Sequence, residues 1–192
     1  MRRVGIQGGP GSFNEVAALA NLPDHGFERF DLVYAKSTAE VLDAIEAGTI
    51  DAGQFALFNS YAGFYTESLA AVGAHLFRPI ASYSIDIRHV LMACQTATIR
   101  TIARIITHPA VLEQCVHTIA KRLPHALVEA GREQLIDPTA VAAALAAGTL
   151  PPDVATITSE AVAAHFGLAV LDHDLQDMRD NRSTFVLVRA LQ

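Results

Sequence analysis

The chain has 192 residues, 51% of them hydrophobic and 18% charged, which excludes a disordered chain and suits one domain or two small lobes. Its formal net charge of −6 sets 20 acidic against 14 basic residues and speaks against a nucleic-acid partner, whose phosphates need a basic face. No apolar run approaches the roughly 18 residues of a membrane span, and Met1-Arg2-Arg3 leads into Gln7-Gly8-Gly9-Pro10 rather than an apolar signal core, so the expected location is cytoplasmic with no membrane partner.

In chain order, short β-rich runs alternate with helical patterns. A strand at Val4-Gly5-Ile6 precedes a helix from Phe13 to Ala20, then a strand at Leu32-Val33-Tyr34, a helix from Thr38 to Ala47 and a strand from Gln54 to Leu57. This alternation predicts α/β layers with mostly parallel strands. Ser12 with Glu15 and Ser37 with Glu40 fit the capping box, in which side chains satisfy the free N–H groups of a helix start. Leu76 to Ala81 reads as an extended crossing segment, and Ile85 to Met92 as the strand that opens a second lobe. A strand from Ala103 to Ile106, a helix running through Arg122 and an Asp137-Pro138 helix start follow. The last strand runs from Ser183 to Leu191.

One internal likeness stands out. Val41 to Ile50 (VLDAIEAGTI) resembles Val141 to Leu150 (VAAALAAGTL), 100 positions later. Both copies follow a capped start, both end in glycine where a helix needs a left-handed residue, and both lead into a β run. They predict two similar α/β lobes around a central cleft, lobe 1 being about 1–80 plus 170–192 and lobe 2 about 81–169, since small ligands favour such interfaces.

Small polar residues gather at strand ends. Gly8-Gly9-Pro10-Gly11-Ser12 forms a strand-to-helix turn whose N–H groups could face an anion, although it is neither a dinucleotide-binding nor a P-loop motif. Asn59-Ser60-Tyr61, Thr107-His108-Pro109 and Thr158-Ser159-Glu160 each follow a strand, where α/β proteins bind ligands and where the same residues also cap helices. Asp180 to Phe185 leads the last strand, with alternation putting Arg182 and Thr184 on one face and Ser183 with Phe185 on the other. No nucleophile elbow is visible, and the eight histidines form no HxH or HxxxH pair. Cys94 and Cys115, 21 positions apart, read as thiols in a reducing compartment. No metal or cofactor is expected. The pattern suits a carboxylate-bearing small molecule.

The same segments carry a family resemblance. Gln7 to Ala18 (QGGPGSFNEVAA), Ala56 to Gly63 (ALFNSYAG), Thr107 to Cys115 (THPAVLEQC) and Ile157 to Leu171 (ITSEAVAAHFGLAVL) resemble, in order and spacing, the catalytic domain of prephenate dehydratases over nearly the whole chain. The resemblance implies a fold like a type II periplasmic binding protein, an active site in the cleft, a homodimer, and prephenate or a related cyclohexadienyl acid such as arogenate as substrate. It implies catalytic roles for Ser183, His108 and Asn59. Substrate contacts are expected at Ser12, Phe58, Ser60, Tyr61, Thr107, Ser159, Arg182, Thr184 and Phe185.

Departures from the family pattern shape the activity expected. Where the family carries Asp-Asn-x-Thr-Arg-Phe, with Thr catalytic and Arg binding substrate, this chain has Ser183 and Thr184. Phe58 stands where the family has Glu before Asn-Ser, and Ala56 where it has Pro. The chain runs only seven residues past Phe185, so the family's regulatory ACT domain is not expected. These departures resemble the prephenate decarboxylases of bacilysin-type pathways, which lose carbon dioxide but keep the ring hydroxyl. Two alternatives stand beside that expectation: a dehydratase without an ACT domain, resting on the retained Ser183 hydroxyl and the nearby Arg182, and a non-catalytic binding protein.

Overall fold

The computed structural model describes residues 1–191. Its elements are β1 (Arg2–Gln7), α1 (Phe13–Asn21), a 3-10 turn at Leu22–His25, β2 (Phe30–Ala35), α2 (Thr38–Glu46), β3 (Ala52–Asn59), β4 (Gly63–Phe64), α3 (Thr66–Ala74), β5 (Phe77–Asp86) and β6 (Val90–Ala93). Then come β7 (Arg104–Thr107), α4 (Pro109–Arg122), β8 (Leu127–Ala130), α5 (Pro138–Ala146), β9 (Val154–Thr158), α6 (Glu160–Phe166), β10 (Ala169–Asp172) and β11 (Arg182–Ala190). Among the described residues no helix is long and apolar enough to cross a membrane.

The chain folds as two α/β units, each built on its own sheet. Unit 1 holds Met1–Gly9, Phe13–Asp86 and the chain from Arg182 on; unit 2 holds Pro10–Ser12 and Ile87–Asn181. Sheet order is β2-β1-β3-β11-β5 in the first, with β4 added on β3, and β10-β6-β9-β7-β8 in the second. Each central strand has a parallel neighbour on one side and an antiparallel one on the other: β1 and β11 beside β3, β7 and β6 beside β9. Apolar clusters cover the sheets. Ile6, Leu22 and Phe27 form part of one in unit 1, and Leu42, Ile45 and Phe55 part of another. Val141, Leu145 and Val162 contribute to one in unit 2, and Ile105, Cys115 and Ile119 to another.

Several helix starts follow from local chemistry. Ser37 Oγ accepts from Glu40 N–H at 3.1 Å, while the Glu40 carboxylate accepts from Lys36 N–H at 2.7 Å, one residue earlier than in the standard box. Asp137 accepts from Thr139 N–H at 2.9 Å, with Pro138 opening α5. At the α1 start, the Glu15 carboxylate accepts the Tyr34 hydroxyl at 2.8 Å.

The middle of the chain differs from the sequence reading. The segment read as a crossing at 76–81 lies largely within β5, which runs for ten residues at the edge of the unit 1 sheet. Pro79 is tolerated there because an edge strand needs ladder partners on one side only. The strand read from Ile85 to Met92 is two pieces. Ile85 and Asp86 end β5, and the chain breaks before β6, because Ile87 N–H donates to Asn181 O at 2.8 Å and His89 N–H to Gln176 Oε1 at 2.9 Å. β10 pairs antiparallel with β6 in the second sheet. The chain therefore passes between units at 86–87 and 181–182, and briefly at 9–10 and 12–13, rather than near 80 and 170.

Candidate functional site

In unit 1 the end of β3 is pinned to β11 by a fully buried amide. Asn59 Oδ1 accepts from Tyr61 N–H and Ala62 N–H, both at 2.9 Å, so its orientation is set by two donors that only an oxygen can meet. Its Nδ2 then donates to Arg182 O at 3.2 Å and to Ser183 Oγ at 3.0 Å. Ser60 completes the join: its N–H donates to Arg182 O at 2.8 Å and its Oγ accepts from Arg182 N–H at 2.9 Å. The Ser183 hydroxyl, on a residue 3% exposed, also meets the Tyr65 hydroxyl at 3.3 Å.

The opposite face of the same ladder carries the two departures from the family motif. Phe58 on β3 is the register partner of Thr184 on β11. Phe58 packs edge-on against Phe64, its partner on β4, with ring centroids 5.1 Å apart. The Thr184 hydroxyl lies 2.9 Å from that of Ser84, its partner on β5. Across β4, β3, β11 and β5 this row reads Phe64, Phe58, Thr184, Ser84 and holds no charge. Two residues back, Arg182 faces Asp86 and pairs with it, Nε to Oδ1 at 3.0 Å. Phe185 points the other way and is buried. Tyr61 is exposed beside the Asn59 turn.

The unit 2 residues are engaged mainly with their own helices and strands. His108 is the N-cap of α4: its Nδ1 accepts from Ala110 N–H at 3.1 Å, leaving the neutral ring's N–H on Nε2. The buried Thr107 hydroxyl donates to Ile157 O at 2.7 Å. Ser159 caps α6 through Val162 N–H and donates its hydroxyl to Gly11 O. Gly11 lies so close to α6 that a Cβ there would stand 2.6 Å from Val162 N. The glycine turn thus rests its backbone on the start of α6, and Ser12 is half-buried.

Sequence reasoning missed Tyr65 and a buried polar chain in unit 2. Gln114 Nε2 donates to Ala110 O, which fixes its Oε1 as acceptor for Asn181 Nδ2 at 2.6 Å and for His89 Nε2 at 3.1 Å. Burial pulls the His89 pKa from 6.5 down to about 4, so the ring is neutral at pH 7. Gln114 and Asn181 both lie in motif segments, and that was the available signal. Burial raises the Cys115 thiol to about 12, which makes it inert. Asp43, Glu46 and His75 hold ligand atoms within 4.8 Å of one another. Both His75 nitrogens are already bonded, Nδ1 to Ala71 O at 2.8 Å and Nε2 to Asp43 Oδ1 at 2.9 Å, an arrangement that suits an imidazolium better than a metal ligand.

A family model described as prephenate dehydratase matches residues 4–192. The chain belongs to that family. Arogenate dehydratase/prephenate dehydratase 2 of Arabidopsis thaliana is 27% identical over 186 residues, covering 97% of this chain and 46% of that protein. Among solved structures, a prephenate dehydratase from Arthrobacter aurescens in complex with L-Phe superposes with a TM-score of 0.85 at 27% identity, covering 99% of this chain and 61% of that one. The ligand-binding component of an ABC-type import system from Staphylococcus aureus shares the fold alone, with a TM-score of 0.52 at 13% identity, over 98% of this chain and 65% of that one. This chain spans less than half the length of the curated relatives it matches. Seen as a member of the prephenate dehydratase family, the chain keeps a hydroxyl and its amide partner at Ser183 and Asn59. In the facing pair of strands stand Phe58 and Thr184, the two positions at which the sequence reading expects departures from the family pattern.

Proposed function

We propose that the chain is a lyase that takes prephenate and releases carbon dioxide while the ring keeps its hydroxyl. The observation that carries this reading is the Phe58–Thr184 register pair. The family's Glu and Arg fall on facing positions, so losing both together strands no lone charge, whereas losing one would. Arg182, two residues back on the same face, is paired with Asp86.

A neutral, partly aromatic row suits the chemistry. A carboxylate held against apolar groups is raised in free energy relative to a transition state that sheds its charge as carbon dioxide forms. The ring–carboxylate bond breaks, its electron pair enters the diene, and a ring carbon takes one proton. Nothing else leaves. In the dehydratase alternative the same proton goes to the ring hydroxyl, which departs as water, and the ring becomes aromatic. That second reading is favoured by the hydroxyl of Ser183, held by Asn59 at the motif position. In either case the proposed roles are that Ser183 orients or protonates substrate and Asn59 positions Ser183. His108 is proposed to offer its Nε2–H to a carboxylate.

Proton NMR of the product formed from prephenate, and separately from arogenate, tests the reading. A non-aromatic diene that still carries its hydroxyl is expected. Aromatic ring protons would overturn it in favour of the dehydratase, and saturable binding without turnover in favour of a binding protein.

A further inference from the structure

We infer that the loop between β8 and α5 is a carboxylate-binding subsite within unit 2, with Arg132 as its cation and Val128 and Leu135 receiving the apolar body that carries the acid. The inference does not depend on which product the lyase forms.

The internal repeat shows where this loop departs from its counterpart. β2 leads into α2 through residues 36–37 alone, whereas β8 leads into α5, the copy of α2, through residues 131–137. The longer connection stands at the carboxyl end of a strand that runs parallel to β7, the end at which parallel sheets bind ligands. Gly131 N–H donates to Thr107 O at 2.7 Å, so the loop starts beside the turn that holds His108.

The added residues are fixed rather than slack. Glu133–Leu135 form a 3-10 turn, in which Leu135 N–H returns to Arg132 O at 2.9 Å. Gly131 lies so close to this turn that a Cβ there would collide with Leu135 O. Leu135 packs against the cluster that holds Val141 and Leu145, and Asp137 caps α5 at the far end. Between these anchors Glu133 sits at φ 51°, the left-handed region that residues other than glycine enter only at a cost. Such strain persists where the surroundings over-determine it, and it gathers at ligand-binding positions.

The chemistry of the site follows from its lining. The loop borders an open cavity of about 560 Å³ formed by Ile106, Val128, Glu129, Gly131, Arg132 and Leu135, a volume in the range of small-molecule sites. Arg132 is exposed, and among the described residues its guanidinium takes part in no ion pair and no side-chain hydrogen bond. The acid in the lining, Glu129, faces Arg104, Nε to Oε2 at 3.7 Å, and so has a cation of its own. What remains is a planar cation beside apolar surface, Val128 being 37% exposed and Leu135 half-buried. A guanidinium grips a carboxylate through two parallel N–H bonds, and the apolar edge takes the rest of the molecule. The ligand class is therefore a carboxylic acid on a compact apolar body. Two sources share that chemistry: the substrate, which is a carboxylated ring, and a separate small acid.

The test is a protein-observed NMR titration with phenylacetate, and with its uncharged amide phenylacetamide, on wild type, Arg132→Lys and Arg132→Gln, with melting temperature recorded for each. Phenylacetate is expected to bind wild type saturably and to shift the amide signals of Gly131, Arg132 and Leu135. Replacing the acid by its amide, or Arg132 by Gln, should each weaken binding at least about tenfold, the worth of one charge-assisted hydrogen bond. Arg132→Lys should lose less, because it keeps a point charge without the fork. The KM for prephenate separates the two sources. A rise of about tenfold in Arg132→Gln with kcat within about threefold, and displacement of phenylacetate by prephenate, assign the subsite to the substrate. An unchanged KM with phenylacetate binding lost assigns it to a separate acid. Binding that survives Arg132→Gln, shifts confined to other parts of the protein, or no binding of phenylacetate at all overturns the subsite. A wild type that binds phenylacetate at this loop but turns over neither prephenate nor arogenate overturns the lyase reading and leaves the subsite standing.

Discussion

In α2 and α5, 100 residues apart, the last turn closes in the same way. Ala47 N–H donates to Asp43 O at 2.9 Å and Ala147 N–H to Ala143 O at 2.9 Å; Thr49 and Thr149 each return their N–H to Ala44 O and Ala144 O at 3.0 Å. Gly48 and Gly148 sit at φ 67° and 68°. Each unit then feeds the central strand of its sheet, and only past the strand ends do the copies part. Asn59, the last residue of β3, reaches across to a hydroxyl on β11, while Ser159, just after β9, caps its own α6 and holds Gly11. The same scaffold thus serves two purposes. One copy ends in a side chain that bonds a hydroxyl on another strand, and the other in a side chain that fixes the local backbone.

Substituting those two residues separates the purposes. Asn59→Ala removes four hydrogen bonds in a buried setting and is expected to cost about 3–4 kcal/mol of stability, with turnover reduced at least about tenfold. Ser159→Ala removes a cap and one buried bond, and about 1–2 kcal/mol is expected, with turnover largely kept. Denaturant melts and initial rates check both. Equal losses of turnover would mean that the two strand ends are alike in function as well as in form.

The units also answer pH in opposite senses. His89 in unit 2 is held below its usual pKa, at about 4 against 6.5 unfolded, by burial. Its contribution is present above pH 6.5 and fades as pH falls toward 4, by about 3 kcal/mol in full. Asp174, lowered by hydrogen bonds from Gln176 and Arg88, adds acid-side loss of the same sign. His75 in unit 1 is held above 6.5 by its bonds to Ala71 O and Asp43 with Glu46 nearby, so its contribution is present below pH 6.5 and fades as pH rises. Melting curves from pH 4 to 9 should therefore flatten on the acid side in His89→Gln and on the alkaline side in His75→Gln. A wild-type acid slope in His89→Gln would show that the buried ring is not what limits stability there.

What was legible in the sequence is what local chemistry decides. The repeat, its glycines and the Ser37 and Asp137 caps depend on residues within a few positions, and the structure has them. The run from Ile85 to Met92 looked like one strand because its breakers are distant: His89 bonds a side chain 87 residues away. α3 was missed because TESLAAVGA is small and uniform, and its N-cap, Tyr65, has no capping side-chain bond to announce it. The facing of Phe58 and Thr184, although each departure was visible alone, needed the register of β3 on β11. Tyr65 was invisible as a site residue for the same reason, its partner Ser183 lying 118 residues on.

The smallest expected effect tests the repeat itself. At φ 67° and 68°, Gly48 and Gly148 occupy the left-handed region that an L side chain enters at a cost of about 1 kcal/mol, and a Cβ at either would meet nothing within 4 Å. With sterics absent at both sites, only backbone strain remains, and that strain is set by the same turn in each unit. Gly48→Ala and Gly148→Ala should therefore each lower stability by about 1 kcal/mol, equal within a few tenths, and the double variant should lose their sum because the sites lie in separate cores. Chemical denaturation of the three variants measures this. Unequal losses would mean that one copy of the turn is held by its surroundings, so that the likeness between the units stops at the backbone.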